Sequence, residues 1–262
     1  GEMAREKWSL GLFGRPRLLH GAQEIHIPPR KAIGLLAYLA MSGGSMPRER
    51  ICSLLWPGQS EHAARSALRT TLTTLRDVLP EGAIQSTRDT VALVGDYLDN
   101  VDAVEFEDEA TKVLSRSRGA DGSLEADEIP LVNRLLARVS GTFLEGFALR
   151  DCPEFDDWQF MTAERLRGRQ MDLLWLITHA LVDDDRHDEA LAHARALLAL
   201  EPTDESVQQE LMILLSERGD RHGALTQYEA FDRIARREDD EDERRSLEDL
   251  VQAVRATTET RE

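Results

Sequence analysis

The sequence predicts a mainly α-helical protein with an α+β N-terminal part. A winged helix-turn-helix domain is expected over residues 3–102, followed by an all-α, tetratricopeptide-like domain over residues 103–262. Three observations carry this prediction. The first hundred residues read as strand, strand, strand, helix, helix, helix, hairpin. The last hundred repeat weakly at an offset of 34 residues, the tetratricopeptide period. Charge divides the chain at the same place: residues 1–99 hold 12 Lys/Arg against 10 Asp/Glu, and the remainder holds 20 against 39.

In the first part, Trp8 to Phe13 alternates apolar with small or polar residues, and Leu18–His20 and Glu24–Ile27 are short strand-like runs around the turn at Gly21-Ala22. Pro28-Pro29 stops this meander. Lys31 to Met41 then places Ile33, Leu36, Ala37 and Ala40 at helical spacing, up to Ser42-Gly43-Gly44. A second helix opens near Pro47, a residue tolerated in a first turn, and buries Ile51, Leu54 and Leu55 before Trp56-Pro57-Gly58. A third runs from the N-cap Ser60 to Leu79, with Leu68, Leu72, Leu75 and Leu79 in one narrow arc. Ala83–Ser86 and Thr90–Val94 form a hairpin about Thr87-Arg88-Asp89.

Beyond Asn100-Val-Asp102, the Gly-, Ser- and acid-rich stretch Ser115–Asp127 reads as a surface loop, and everything after it as helix. The 34-residue offset brings Ala190-Leu191 onto Ala224-Leu225, Leu181 onto Leu215, and the turn at Asp185 onto Gly219. Leu211–Glu217, Arg218-Gly-Asp220 and Ala224–Ile234 make a helical hairpin. Arg244–Ala256 is expected to cap the array. Phe155, Trp158, Phe160 and Trp175 are expected to anchor the helical core.

Composition narrows the function. The net charge of −17 argues against broad binding to polyanions. The longest apolar stretch, Leu173–Val182, is interrupted and far shorter than the roughly 20 residues of a membrane span. Gly1-Glu2 ahead of Met3 reads as an extraneous addition, and no signal sequence follows, so a cytoplasmic protein without membrane partners is expected. Cys52 and Cys152 fit neither a disulfide framework nor a zinc knuckle and are expected to be reduced packing residues. No phosphate-binding Gly-rich loop, nucleophile elbow or Cys/His/Asp set occurs, so no enzyme is expected and no cofactor or metal is called for. Asp183–Glu189 reads as an acidic inter-helix turn, and Glu238–Glu243 as a solvated linker.

The sharpest functional candidate is the third helix. Opposite its leucine arc lie Ser66, Thr70, Thr73 and Asp77, flanked by Arg65, Arg69 and Arg76. A helix of this kind can lie in a major groove, where guanidinium groups pair with guanine and Thr methyls meet thymine methyls. Arg69, Thr70 and Thr73 are the expected base readers, with Arg65 and Arg76 on phosphate. Arg88 at the hairpin tip is placed for a minor groove. Arg48 and Arg50, with Arg30 and Lys31, lie at the starts of the first two helices as expected phosphate clamps.

These residues resemble the Streptomyces antibiotic regulatory protein (SARP) type of transcriptional regulator. The resemblance is carried by Leu10-Gly-Leu-Phe-Gly14, Lys31-Ala-Ile-Gly-Leu-Leu-Ala-Tyr-Leu-Ala40, Arg50-Ile-Cys-Ser-Leu-Leu-Trp-Pro57, Ala64-Arg-Ser-Ala-Leu-Arg69 and Thr74-Leu-Arg76. Val101-Asp102, Phe106, Gly141-Thr-Phe-Leu-Glu-Gly146, Trp158 and Glu201-Pro-Thr-Asp-Glu205 extend it over nearly the whole chain. It implies an OmpR-like winged helix joined to a bacterial transcriptional activation domain. It further implies a sequence-specific activator that binds direct repeats of double-stranded DNA near promoters, self-associates there as a homodimer, and contacts RNA polymerase. Such modules often stand at the N-terminus of larger proteins. The alternative reading is a tetratricopeptide-like protein-interaction or effector-binding segment of a larger signalling protein. Salt dependence separates the two, since phosphate contacts weaken steeply with salt.

Overall fold

The structure is a computed structural model that describes residues 5–238 and 241–259. Two compact units divide it, and they do not follow the linear chain: the residues through Thr111 join Ala137–Gly168, and Lys112–Leu136 joins the residues from Arg169 onward.

In the first unit, β1 (Trp8–Gly11), β2 (Arg17–His20) and β3 (Gln23–Ile25) form the meander, and a short β7 (Asn100–Val101) adds in parallel to β1, giving the order β3-β2-β1-β7. Leu10, Leu12, Phe13 and Leu18 turn inward from it. Three helices follow, α1 (Arg30–Ser42), α2 (Arg48–Leu55) and α3 (Glu61–Val78), in mutual contact. Their shared core holds Ile51, Leu54 and Leu55 of α2 and Leu68, Leu72 and Leu75 of α3, as the apolar spacing picks out, and Leu35, Leu36 and Leu39 of α1, all at most 1% exposed. In α1 the spacing picks out Leu36 and Ala37 correctly, but Ile33 and Ala40 are only half-buried, and Leu35 and Leu39 take the inward places. Burying a leucine is worth about 1.5–3 kcal/mol, so this apolar arc is the main term fixing how α3 is held.

The wing is β5 (Ile84–Ser86) and β6 (Thr90–Leu93), and it has a third strand that periodicity does not reveal: β4 (Met46–Pro47) pairs with β6 through Met46↔Val91 and Pro47↔Thr90. Pro47 therefore precedes α2 in extended conformation instead of lying in its first turn. A two-residue strand ending in a proline carries no alternation to read.

A strap of irregular chain completes this unit. Phe143 bridges to Phe13, the Gly14 N–H donates to the Thr142 carbonyl at 2.8 Å, and the Leu144 N–H to that of Leu12 at 2.8 Å. Gly34 of α1 permits a close approach here: a Cβ at this position would meet Leu149 at 3.0 Å and Phe155 at 3.2 Å. Asp102 ties the sheet to the helix that follows. Its Oδ1 accepts the Leu12 and Ala103 N–H groups at 2.7 Å each, and its Oδ2 accepts that of Phe13 at 3.2 Å. Burial raises the Asp102 carboxyl above its ordinary range, opposed by these three donors.

That helix, α4 (Asp102–Gly119), corrects the expected loop at Ser115–Asp127, because it continues through Gly119. Its inward positions Ala110, Val113, Leu114 and Ser117 fall at i, i+3, i+4 and i+7, and the buried serine conceals the last of them. A 3-10 turn at Ala126–Glu128 and α5 (Ile129–Ala137) follow.

α6 (Pro153–Asp183) is the longest helix. Its Trp158 packs against Tyr38 and Phe143 with ring centroids 5.1 and 5.7 Å apart, so it anchors the winged-helix unit and not the helical repeats as expected. Phe160, also expected in a core, is 62% exposed. Both corrections have one cause: aromatic content identifies a buried helix without saying which of its faces, or which neighbour, the ring meets.

In the second unit, α7 (His187–Leu200), α8 (Glu205–Glu217), α9 (Arg221–Glu238) and α10 (Glu241–Glu259) succeed one another, each in contact with the next. Asp185 and Gly219, which the 34-residue offset superposes, are both left-handed, with φ of 59° and 82°. Ala224 is fully buried, as a close helical hairpin requires, and Met212, Phe231, Leu247 and Val251 form a core across α8, α9 and α10. The expected linker Glu238–Glu243 includes Asp239 and Asp240, which lie outside the described residues. No helix among the described residues is long and apolar enough to cross a membrane.

Candidate nucleic-acid interface

α3 begins where the Ser60 hydroxyl accepts the Ala63 N–H at 3.2 Å, and its 18 residues span about 27 Å at the usual rise. Its outward face carries Ser66, Arg69, Thr70, Thr73, Arg76 and Asp77, all exposed, with Arg65 half-buried beside them. The Arg69 guanidinium makes no ion pair or hydrogen bond among the described residues. Arg65 is held by Glu61 one turn earlier at 3.3 Å.

The threonines are more constrained than their composition suggests. The Thr70 hydroxyl donates to the Ser66 carbonyl at 3.2 Å, that of Thr73 to Arg69 at 3.1 Å, and that of Thr74 to Thr70 at 3.2 Å. With the hydroxyl proton spent on the helix, Thr70 and Thr73 offer a methyl group and acceptor lone pairs, not a donor for phosphate.

The wing is braced against this helix. Arg76 Nη2 donates to Ser86 Oγ at 2.7 Å. Arg48, expected on phosphate, donates its backbone N–H to the Asp89 carbonyl at 2.8 Å and Nε to the Thr87 carbonyl at 3.0 Å, so it buttresses the hairpin tip. Thr87 organises that tip, accepting the Asp89 and Thr90 N–H groups on Oγ1 at 3.2 and 3.0 Å. Arg88 is left exposed at its apex. Ser86 and Thr87 were not legible as site residues, because their role lies in a long-range pairing and a local turn that carry no charge.

The structure thus groups Arg65, Arg69, Thr70, Thr73 and Arg76 on one helix and brings Arg48 to the base of the Arg88 turn. Arg50 stands apart, 3.5 Å from Glu154. Arg30 and Lys31 are also engaged elsewhere: Arg30 donates to the Ala148 carbonyl at 3.0 and 3.2 Å, and the Lys31 ammonium lies 5.5 Å from the Trp56 ring centre. Both cysteines are free, and burial pushes their thiols up, so they are packing groups.

A three-stranded wing beside a helix-turn-helix, continued in the chain by helical repeats, is the fold of a winged helix joined to a tetratricopeptide-like domain. Residues 101–255 match the family described as bacterial transcriptional activator domain, and the chain belongs to that family. It is a SARP-type transcriptional regulator, as the sequence motifs imply. Over 229 residues it is 27% identical to regulatory protein AfsR of Streptomyces coelicolor, covering 87% of this chain and 22% of that protein. The chain thus spans under a quarter of that relative's length. Its fold is similar to that of Mycobacterium tuberculosis EmbR, solved in complex with a low affinity phosphopeptide. The TM-score is 0.68 at 17% identity, over 95% of this chain and 65% of that one.

Proposed function

We propose that this chain is a sequence-specific DNA-binding transcription activator, in which residues 3–102 read DNA and residues 103–262 carry activation. The observation that supports it best is the outward face of α3, where Arg69 stands without a partner among the described residues beside two threonine methyls and a braced wing.

In this reading α3 lies in the major groove. Arg69 forks onto a guanine edge, and Thr70 and Thr73 present methyls to thymine and lone pairs to exocyclic amines. Arg65 and Arg76 set register on phosphates, Arg48 holds the turn from which Arg88 enters the adjacent minor groove, and Arg50 exchanges Glu154 for a flanking phosphate. No covalent step is involved. A second copy on a neighbouring direct repeat, giving a homodimer on DNA, raises effective concentration and turns weak single-site affinity into occupancy. The helical module then offers its surface to RNA polymerase, and the acidity of the C-terminal part suppresses loose attraction to DNA.

The test is selection from randomised duplex DNA at about 150 mM salt, where screening is near 8 Å and loose attraction is weak. The expected result is enrichment of a directly repeated motif that is lost in Arg69→Ala, with a cost of about 1–3 kcal/mol on the selected site. Absence of enrichment by the folded protein would overturn the reading.

A further inference from the structure

Arg30 is a residue the proposed DNA surface does not absorb, and its surroundings suggest what it does. It forms one wall of a half-open cavity of about 310 Å³ between the N-terminal sheet, α1 and the strap. Leu12, Ile27, Ile33 and Phe147 supply apolar walls. The rim is cationic, against the trend of a chain with net charge −17.

The rim charges are not equivalent. Arg15 is neutralised by Glu24 at 2.8 Å. Arg17 makes no ion pair within 4 Å among the described residues, and the acids its charge acts on are Asp102 and Glu24. Arg30 is oriented by Nε and Nη2 on the Ala148 carbonyl, with its guanidinium 4.9 Å from the Phe147 ring centre, and its Nη1 donors have no partner among the described residues. His26 adds a further potential donor, and Glu145 is the acid set against these groups. A pre-positioned guanidinium and a second, unpaired one at the mouth of an apolar slot suit a small molecule with an anionic head and an apolar body. The volume is at the low end of the roughly 300–1,000 Å³ range of ligand sites, which suits a small occupant.

We infer that this cavity binds a small amphipathic carboxylate, its head on Arg17 and Arg30 and its short chain or ring among Leu12, Ile33 and Phe147. The binding does not depend on the DNA reading. Its consequence does: α1 walls the cavity and packs against α3, so an occupant stiffens the scaffold that holds the reading helix.

Calorimetric titration of the whole chain with octanoate, octanol and octylamine tests the inference. Saturable one-site binding of octanoate, roughly ten- to hundredfold tighter than octanol, is expected from charge-assisted hydrogen bonds, with octylamine weakest. Arg17→Gln should bring octanoate and octanol close together, while Ile33→Trp, which fills the slot, should remove both. Thermal unfolding of each variant checks folding. No saturable octanoate binding, equal affinity for acid and alcohol, or binding unchanged in a folded Ile33→Trp would each overturn the assignment. If DNA selection fails while octanoate binds as described, the cavity assignment stands and the DNA reading falls.

Discussion

Arg76 near the end of α3 donates through Nη2 to Ser86 Oγ on the first strand of the wing, at 2.7 Å. This bond joins the two parts of the proposed DNA-reading surface, which the backbone connects through the Pro80–Ala83 turn. Ser86→Ala removes it while leaving α3 packed by its leucines and the wing by Ile84 and Val91. It is expected to leave the thermal midpoint nearly unchanged and to weaken binding to the selected duplex by about 0.5–1.5 kcal/mol, the worth of one hydrogen bond. Fluorescence anisotropy would measure the loss. Unaltered affinity would mean the wing needs no brace from α3.

Thr73 allows its hydroxyl and methyl to be separated. Its Oγ1 already donates to the Arg69 carbonyl at 3.1 Å, so in the proposed reading it presents a methyl and acceptor lone pairs, and no donor, to DNA. Thr73→Val is expected to preserve recognition of the selected site and Thr73→Ser to lose preference for thymine at one position, by roughly 1 kcal/mol or more. The reverse order, with serine tolerated and valine not, would assign recognition to the hydroxyl oxygen.

Asp102 is a structural counterpart to these surface residues. Its carboxylate collects the N–H groups of Leu12, Phe13 and Ala103, fixing the end of β1 to the start of α4. In Asp102→Asn the amide NH₂ must face one of those donors, so the fold should lose about 1–3 kcal/mol. Urea unfolding would record this as a lower midpoint with unchanged slope. A midpoint equal to that of the parent would show that water satisfies these groups.

How much of this was legible in the sequence depends on whether a residue's role repeats in the pattern. The α3 arc of Leu68, Leu72 and Leu75 is periodic and was read directly, as was the superposition of Asp185 on Gly219, which the two left-handed turns explain. The strand at Met46–Pro47 and the inward Ser117 break their patterns and went unread. Arginine is legible as charge and not as geometry. The sequence marks Arg30 and Arg48 alike as phosphate clamps and Arg69 as a base reader, yet Arg30 is fixed to a carbonyl of the strap, Arg48 carries the wing turn, and the Arg69 guanidinium has no partner among the described residues. Only tertiary contacts separate those three roles.

His193 gives the second unit a pH dependence of definite sign. It is half-buried on α7, with Nε2 3.0 Å from Asn133 Oδ1, and burial lowers its pKa, opposed by nearby Glu189. The unfolded chain takes up a proton near the ordinary histidine value of about 6.5, before the folded chain does. Stability from this group is therefore fully present above about pH 6.5 and is lost as pH falls from there through the lowered folded value. His193→Gln keeps a donor for Asn133 and does not titrate, so its unfolding midpoint should fall less than that of the parent as pH is lowered through this window. Measuring both proteins across the same buffers removes the contribution of the many carboxylates they share. Parallel pH profiles would show that His193 protonates equally readily in both states, and that its burial does not shield it from water.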